Sequence, residues 1–196
     1  YTKFVGRAYD ALHRNNLKLS VAVVSRTDDN PDSYPEGHWE NWAGAFDYKA
    51  LAKRSDFLSI MAYDEDNSPG PVSTYGWFSD VLDYTLKNVP KEKISFGIPL
   101  YGYKWQLTPE RTRLRSVPFS YLSLVTNLYP KAEKGFDTTY KAPWISYYLV
   151  DNSKRIVWYE DQRSFLAKYN LLKKNNVGGF SAWVLGLEDP SMWDVI

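Results

Sequence analysis

Four apolar runs, each preceded by a stretch of helical periodicity, constrain the fold of this chain more than any other feature. The apolar runs occupy residues 17–24, 57–64, 94–105 and 177–184. Continuous apolar runs of this length are typical of strands buried on both faces. Helical patterns precede them at 1–16, 46–54, 77–88 and 161–175. This alternation predicts parallel strands in one sheet with helices packed outside it.

Residues 106–159 interrupt the alternation. They contain a helix-like stretch at 119–128 and three candidate strands, at 135–140, 144–150 and 155–159. Asp151, Asn152 and Ser153 form a turn signal, so the last two strands are predicted to be a hairpin. We therefore divide the chain into barrel units (1–105), a small α+β insertion (106–159), and a final helix and strand (160–196).

Four alternating strands could form a small open sheet or half of a larger barrel. The sequence has no phosphate loop of the G-x-G-x-x-G or G-x-x-x-x-G-K type, which disfavours a nucleotide-binding sheet. The chain also opens directly in a helical pattern at Tyr1, without a methionine. We expect an α/β fold, the C-terminal half (about strands five to eight) of a TIM-type βα barrel. The N-terminal half is then expected in the parent chain.

Composition excludes several classes of function. A net charge of +1 gives no electrostatic reason to bind nucleic acid, and no apolar run approaches the roughly 20 residues of a membrane span. The chain has no Cys and only two His, so we expect no disulfide, no metal site and no cofactor. Acidic residues in the loop 25–44 do not match a calcium loop and favour a solvated surface. Aromatic residues make up 17%, which suits either a large core or a site that stacks on sugars.

The run FLSIMAYD at 57–64 changes from apolar to polar at Tyr63 and Asp64. In a βα barrel, ligands bind at the C-terminal ends of the strands. A hydroxyl beside a carboxylate at such an end predicts a functional site. The alternative is an ordinary turn that begins with Asp.

Three segments resemble the strands of a known family. FLSIMAYD resembles the M-x-Y-D strand of glycoside hydrolase family 18, the chitinase-like barrels. IPLYGYKW (98–105) is similar to that family's seventh strand, and GGFSAW (178–183) to its eighth. GAFDY (44–48), GPV (70–72) and IVWYEDQRS (156–164) resemble pieces of a bacterial subgroup that cleaves cell-wall and spore-cortex peptidoglycan. The set spans nearly the whole chain in order.

The resemblance implies a retaining glycosidase that acts at N-acetylglucosamine by substrate assistance. In that mechanism the acetamide oxygen of the substrate attacks the anomeric carbon, while a glutamic acid protonates the leaving oxygen. Tyr63 would orient the acetamide, and Asp64 would bind sugar hydroxyls or steady the polar network. Met61 would pack beneath the sugar, with Trp183 as the floor and Tyr101 as a wall. Softer candidates for outlying sugar contacts, or for plain packing, are Trp77, Trp105, Trp144 and Tyr159.

The chain departs from the family in one respect. The signature D-x-x-D-x-D-x-E, whose Glu donates the proton, is absent from the end of any apolar strand here. Glu65 and Asp66 follow the M-x-Y-D strand, but their spacing gives little reason to see either as a substitute. The resemblance thus implies part of a longer enzyme, inactive alone, that works outside the cell at the wall or spore surface. The alternative is a relative that binds glycan without cleaving it, whereas a purely structural domain would not require Tyr63, Asp64 and Trp183 together.

Overall fold

The computed structural model describes residues 1–108 and 111–196, so Pro109 and Glu110 of the predicted insertion lie outside the described residues. The helices are α1 (Thr2–His13), α2 (His38–Asn41), α3 (Tyr48–Ala52), α4 (Tyr75–Asn88), α5 (Tyr121–Leu128) and α6 (Gln162–Asn175). The strands are β1 (Ser20–Val24), β2 (Phe57–Met61), β3 (Ile94–Pro99), β4 (Gly102–Leu107), β5 (Arg113–Val117), β6 (Glu133–Asp137), β7 (Ala142–Tyr148), β8 (Lys154–Trp158) and β9 (Gly179–Trp183).

The first sheet has the strand order β1-β2-β3-β9. β1 pairs with β2 in parallel, with Val23 opposite Ile60, and β2 pairs with β3 in parallel, with Ile60 opposite Phe96. All three of these side chains are fully buried. The short helix α3, which precedes β2, begins where the Asp47 side chain accepts a hydrogen bond from the backbone N–H of Ala50 at 2.9 Å. The predicted parallel pairing with intervening helices is confirmed for β1, β2 and β3.

The second sheet is antiparallel, with the order β5-β4-β8-β7-β6. It contains the predicted hairpin, in which β7 and β8 are joined at Asp151. One buried cluster in this part of the chain includes Tyr101, Tyr103 and Trp105. A second cluster, around Val157, contains Val125 of α5. The predicted α+β character of this region is therefore observed.

The prediction of a single strand over 94–105 is wrong. β3 ends at Pro99 and joins the first sheet, while β4 begins at Gly102 and pairs with β5 and β8. Proline has no backbone N–H to continue a ladder, so the chain can leave the sheet there. The next N–H, of Leu100, donates to the carbonyl of Trp183 at 2.7 Å. The apolar pattern is continuous across this break and conceals it.

The chain forms two compact units that are each built from three segments. The first comprises 1–62, 79–97 and 172–181, and the second comprises 63–78, 98–171 and 182–196. The sequence-based division at 105 and 159 stays a prediction. Within residues 1–108 and 111–196, no helix is long and apolar enough to cross a membrane, and no three His, Asp or Glu side chains are grouped as metal ligands.

Candidate functional site

Tyr63 and Asp64 follow the end of β2, and the backbone is not extended at Asp64. Asp64 has a φ of +64°, in the left-handed region that non-glycine residues seldom adopt. Asp is among the residues that tolerate this conformation best, and such positions are common where a side chain is held for a function. Tyr63 is half-buried. Burial, and secondly the charge of Asp64, raise the pKa of the Tyr63 hydroxyl, which therefore remains a hydrogen-bond donor at neutral pH.

The Asp64 carboxylate is held by two phenols from the start of the second sheet. Tyr101 and Tyr103 both donate their hydroxyls to Asp64 Oδ1. The two tyrosines are 6% and 3% exposed. Burial is the main cause that raises the pKa of each hydroxyl, followed by the hydrogen bond to Asp64 and its negative charge. The carboxylate therefore has a fixed orientation and is flanked by neutral donors.

Gly102 makes the placement of these two tyrosines possible. A Cβ at this position would lie 2.3 Å from the carbonyl oxygen of Trp158 in β8. β4 and β8 can approach this closely only because residue 102 has no side chain. Tyr101 and Tyr103 flank the glycine and place their hydroxyls on the same acceptor. Sequence reasoning missed Tyr103 as a site residue, although its i, i+2 spacing from Tyr101 was a signal for a shared face.

Trp183 ends β9 and lies beside Tyr63. Their rings are nearly parallel, with an interplanar angle of 12° and a centroid separation of 6.4 Å. Trp183 is 52% exposed, an unusual exposure for an indole. A flat, accessible aromatic face next to a hydroxyl donor can hold the apolar face of a sugar ring. The pair therefore offers both stacking and hydrogen bonding.

A cavity of about 550 Å³ opens at this place in the second unit. Asp64, Tyr101, Tyr103 and Trp183 line one part of it, and strand β5 from Arg113 to Ser116 lines another. The volume lies within the range of small-molecule and oligosaccharide sites, roughly 300–1,000 Å³. Three of the predicted site residues thus share one cavity, namely Asp64, Tyr101 and Trp183. The ring of Tyr63 lies nearly parallel to that of Trp183.

Two of the softer candidates, Trp105 and Trp144, pack in or against one apolar cluster. Trp105 is 5% exposed, and its indole N–H donates to the carbonyl of Gly70 at 2.8 Å. Trp144 is partly buried against the same apolar cluster. Packing accounts for both positions, so the sugar contacts suggested for them stay predictions.

The remaining candidates lie at other places. Met61 is the last residue of β2 and is half-buried. Trp77 lies in the first turn of α4, where its backbone N–H donates to Thr74 Oγ1 at 3.3 Å. Tyr159 is half-buried and contacts Phe119 edge to face. None of the three belongs to the group that lines the cavity, and their roles stay predictions.

Glu65 holds a loop together through hydrogen bonds, which makes it a poorer candidate for a substitute proton donor. Its carboxylate accepts hydrogen bonds from the backbone N–H of Thr74 at 2.6 Å and from Thr74 Oγ1 at 3.1 Å. Its own backbone N–H donates to the carbonyl of Val72. These bonds tie the two ends of the loop 65–74 together. A carboxylate committed to two donors is poorly placed to deliver a proton.

A near match to the family's acidic signature occurs at 29–36, where Tyr34 stands in place of the third Asp. The segment is not the end of a strand, because it contains the 3₁₀ turn Pro31–Ser33. Its first carboxylate, Asp29, pairs with the buried guanidinium of Arg26 and accepts the Tyr84 hydroxyl at 2.7 Å. Asp29 therefore anchors a loop. The segment thus differs from the family signature both in sequence and in its place in the fold.

Comparison with known proteins agrees with the fold and the motifs. The model of glycosyl hydrolases family 18 matches residues 1–188. The cortical fragment-lytic enzyme of Bacillus subtilis (strain 168) is 36% identical over 98% of the chain, which spans 44% of that enzyme's length. The crystal structure of the Bacillus megaterium QM B1551 spore cortex-lytic enzyme SleL superposes with a TM-score of 0.85 at 31% identity, over 98% of this chain and 43% of that one. The crystal structure of a chitinase from Chromobacterium violaceum ATCC 12472 superposes with a TM-score of 0.83 at 31% identity. The superposition covers 99% of this chain and 59% of the chitinase chain. The chain, which spans about half the length of these relatives, belongs to glycosyl hydrolases family 18.

Proposed function

We propose that the protein is part of a retaining glycosidase that hydrolyses N-acetylglucosamine-containing polysaccharide, peptidoglycan or chitin, by substrate assistance. The observation that carries the proposal is the arrangement around Asp64. One carboxylate accepts two buried phenols and lies in a cavity with the exposed ring of Trp183. An arrangement of this kind suits a neutral sugar that needs both a flat apolar surface and directed polar groups.

In the proposed reaction, the acetamide oxygen of the substrate forms a bond to the anomeric carbon as the glycosidic C–O bond breaks. The leaving oxygen takes a proton from a glutamic acid. Water then attacks the anomeric carbon and returns a proton to that carboxylate, which restores the acetamide and retains the configuration. Tyr63 donates its hydroxyl to the acetamide oxygen and holds it in line for attack. Asp64, fixed by Tyr101 and Tyr103, orients the polar groups of the bound sugar and does not protonate the leaving oxygen.

The proton donor is proposed to come from residues encoded before Tyr1. Residues 1–196 contain no D-x-x-D-x-D-x-E signature at a strand end, and Glu65 and Asp29 have other partners. In this proposal β1, β2, β3 and β9 are the second half of a βα barrel, and the first half provides the acid. The chain alone would bind substrate without turning it over.

The test compares residues 1–196 with the full reading frame of the gene. Release of reducing ends from N-acetylglucosamine oligosaccharides and from peptidoglycan fragments is measured for both. We expect turnover only for the longer protein, and only if the upstream sequence contains an Asp-x-Asp-x-Glu segment. Turnover by residues 1–196 alone would overturn the role given to the absent glutamic acid.

The alternative is a relative of the same fold that binds glycan without cleaving it. The absence of the signature from residues 1–196, beside a formed sugar-sized cavity, is the observation that favours it. Calorimetric titration with the same oligosaccharides, together with the turnover assay on the full reading frame, distinguishes the two. Binding with no turnover in the full-length protein would establish the alternative.

We also propose that the protein acts outside the cell, at the cell wall or spore surface. The proposal rests on relatives whose names describe lysis of cortical fragments or the spore cortex. Immunodetection in spore-coat, wall and cytoplasmic fractions tests it. Recovery in the cytoplasmic fraction alone would contradict it.

A further inference from the structure

The edge strand β5 carries Arg113 and Arg115, which lie on opposite faces of the strand because of a β-bulge between them. In its antiparallel pairing with β4, Lys104 lies opposite Arg115 and Trp105 lies opposite Arg113. Leu114 is the extra residue of a β-bulge at this point. Residues paired across an antiparallel ladder share a face, so Arg115 lies on the Lys104 face. The bulge puts Arg113 on the other face, with Trp105.

Arg113 lies over a residue of the candidate site. Its guanidinium carbon is 4.6 Å from the centre of the Tyr103 ring. That ring carries the hydroxyl that donates to Asp64. Cation–π contact with an aromatic face restrains an otherwise flexible side chain. Arg113 also lines the 550 Å³ cavity, so a restrained positive charge stands at the wall of the site.

Asp64 and Arg113, which both line the cavity, differ in whether another side chain of the protein hydrogen-bonds or pairs with their charge. Asp64 accepts two hydroxyls, whereas Arg113 has no carboxylate within 4.0 Å in the part of the chain that the structure describes. Arg115 also lines the cavity and has no carboxylate within 4.0 Å among the described residues. Its guanidinium, however, lies over the ring of Tyr121, where Lys104 also donates to the Tyr121 hydroxyl, and not over a ring that donates to Asp64. A guanidinium presents paired N–H donors that match the two oxygens of a carboxylate. Arg113 is therefore placed to receive an anionic group from a bound ligand.

We infer that Arg113 binds a carboxylate carried by the glycan chain and makes the site selective for acidic amino-sugar polymers over neutral ones. This inference rests on the proposed function, because it requires N-acetylglucosamine units in the same cavity. The carboxylate belongs to a sugar next to the one that stacks on Trp183. It comes either from a lactyl ether on the sugar or from the end of a peptide attached to that ether. A neutral chitin chain offers no such group.

The experiment uses calorimetric titration of the protein with four ligands. The first is N-acetylglucosaminyl-N-acetylmuramic acid, and the second is the same disaccharide with its lactyl carboxyl converted to a primary amide. The third carries a dipeptide on the lactyl group, which moves the carboxylate to the end of the peptide. The fourth is neutral di-N-acetylchitobiose. We expect a carboxylate form to bind about tenfold or more tightly than the amide, with a preference that weakens as salt is raised.

Two variants decide whether Arg113 is responsible. Arg113→Gln should abolish the preference for the carboxylate, with a much smaller effect on the binding of neutral chitobiose. Arg163→Gln removes the same charge from an exposed position on α6, outside the group that lines the cavity, and it should keep the preference. Thermal unfolding confirms that both variants are folded. Which of the first and third ligands binds more tightly identifies the source of the carboxylate.

The outcomes separate this inference from the function on which it rests. Equal affinity of the wild-type protein for acid and amide overturns the inference, as does an equal loss of preference in both variants. If none of the four ligands binds, the proposed sugar site itself is wrong. If chitobiose binds and the acid and the amide bind equally well, the proposed function is retained and the inferred selectivity for a carboxylate is rejected.

Discussion

The hydroxyl of Tyr103 donates to the carboxylate of Asp64 across 39 positions of sequence. Tyr103 belongs to the antiparallel sheet, and Asp64 lies in the loop that follows β2. The hydrogen bond requires the chain to leave the first sheet at Pro99 and to pass β8 closely at Gly102. The geometry of the candidate site thus depends on the break that separates β3 from β4.

Replacement of Tyr63 by Phe tests the proposed orientation of the acetamide. If the Tyr63 hydroxyl holds the acetamide oxygen in the transition state, Tyr63→Phe should lower kcat by about 10²-fold in an active full-length enzyme, with a smaller effect on KM. Tyr148→Phe is the matched control, since Tyr148 is 59% exposed on β7. Steady-state kinetics on an N-acetylglucosamine oligosaccharide provide the measurement. An unchanged kcat would remove Tyr63 from the mechanism.

Trp183 should contribute to sugar binding more than to stability. Trp183→Ala is expected to weaken oligosaccharide binding by roughly 1–3 kcal/mol, by analogy with other aromatic stacking sites. Because the side chain is 52% exposed, its removal should cost little folding free energy. Trp42→Ala, at 53% exposure in the first unit, controls for the loss of an exposed indole. Equal affinities of the two variants in calorimetry would contradict the stacking role.

Much of this arrangement could be predicted from the sequence, because it depends on local pattern. The apolar run before Tyr63 identifies a buried strand, and the motif places Trp183 at the end of another. Arg113 could not be found in this way. Its direction depends on a β-bulge, and bulges leave no apolar signature. Trp105 shows the same limit, because an aromatic residue in a strand fits a core or a sugar site equally well. Only the structure decides for the core, since Trp105 is 5% exposed and its indole N–H donates to the carbonyl of Gly70.

Alkaline pH should destabilise the protein through its buried phenols. The pKa of Tyr48 is raised chiefly by burial, and the pKa values of Tyr101 and Tyr103 are raised by burial and then by Asp64. Below about pH 10, the unfolded pKa, these hydroxyls are protonated in both states and their contribution to stability is complete. Above it the unfolded chain loses protons first, so the free energy of unfolding should fall as pH rises.

Urea denaturation between pH 8 and pH 11 measures this dependence. Tyr103→Phe removes one of the phenols and should make the decline shallower, while Tyr148→Phe, for an exposed phenol, should leave it unchanged. A free energy of unfolding that is constant up to pH 11 would contradict the raised pKa values.

The ion pair between Lys168 and Glu160 should be the most sensitive charged contact in the second unit. Lys168 Nζ lies 2.8 Å from Glu160 Oε1 and 3.0 Å from Oε2, and both side chains are 1% exposed. Burial is the largest influence on Glu160 and raises its pKa even though Lys168 opposes the shift. Lys168→Met would leave this carboxyl buried without its partner. We expect a loss of about 3–5 kcal/mol in the free energy of unfolding, measured in urea.

The double variant Lys168→Met/Glu160→Leu separates the pair from its packing. Removal of both charges also removes the desolvation penalty, so most of the lost stability should return. Arg163→Gln is the matched control, because it breaks the ion pair with Asp161 at a guanidinium that is 59% exposed, where such pairs contribute little. If Lys168→Met costs no more than Arg163→Gln, the buried pair is not a determinant of stability. If the double variant is as unstable as Lys168→Met, the loss arises from packing and not from the unpaired carboxyl.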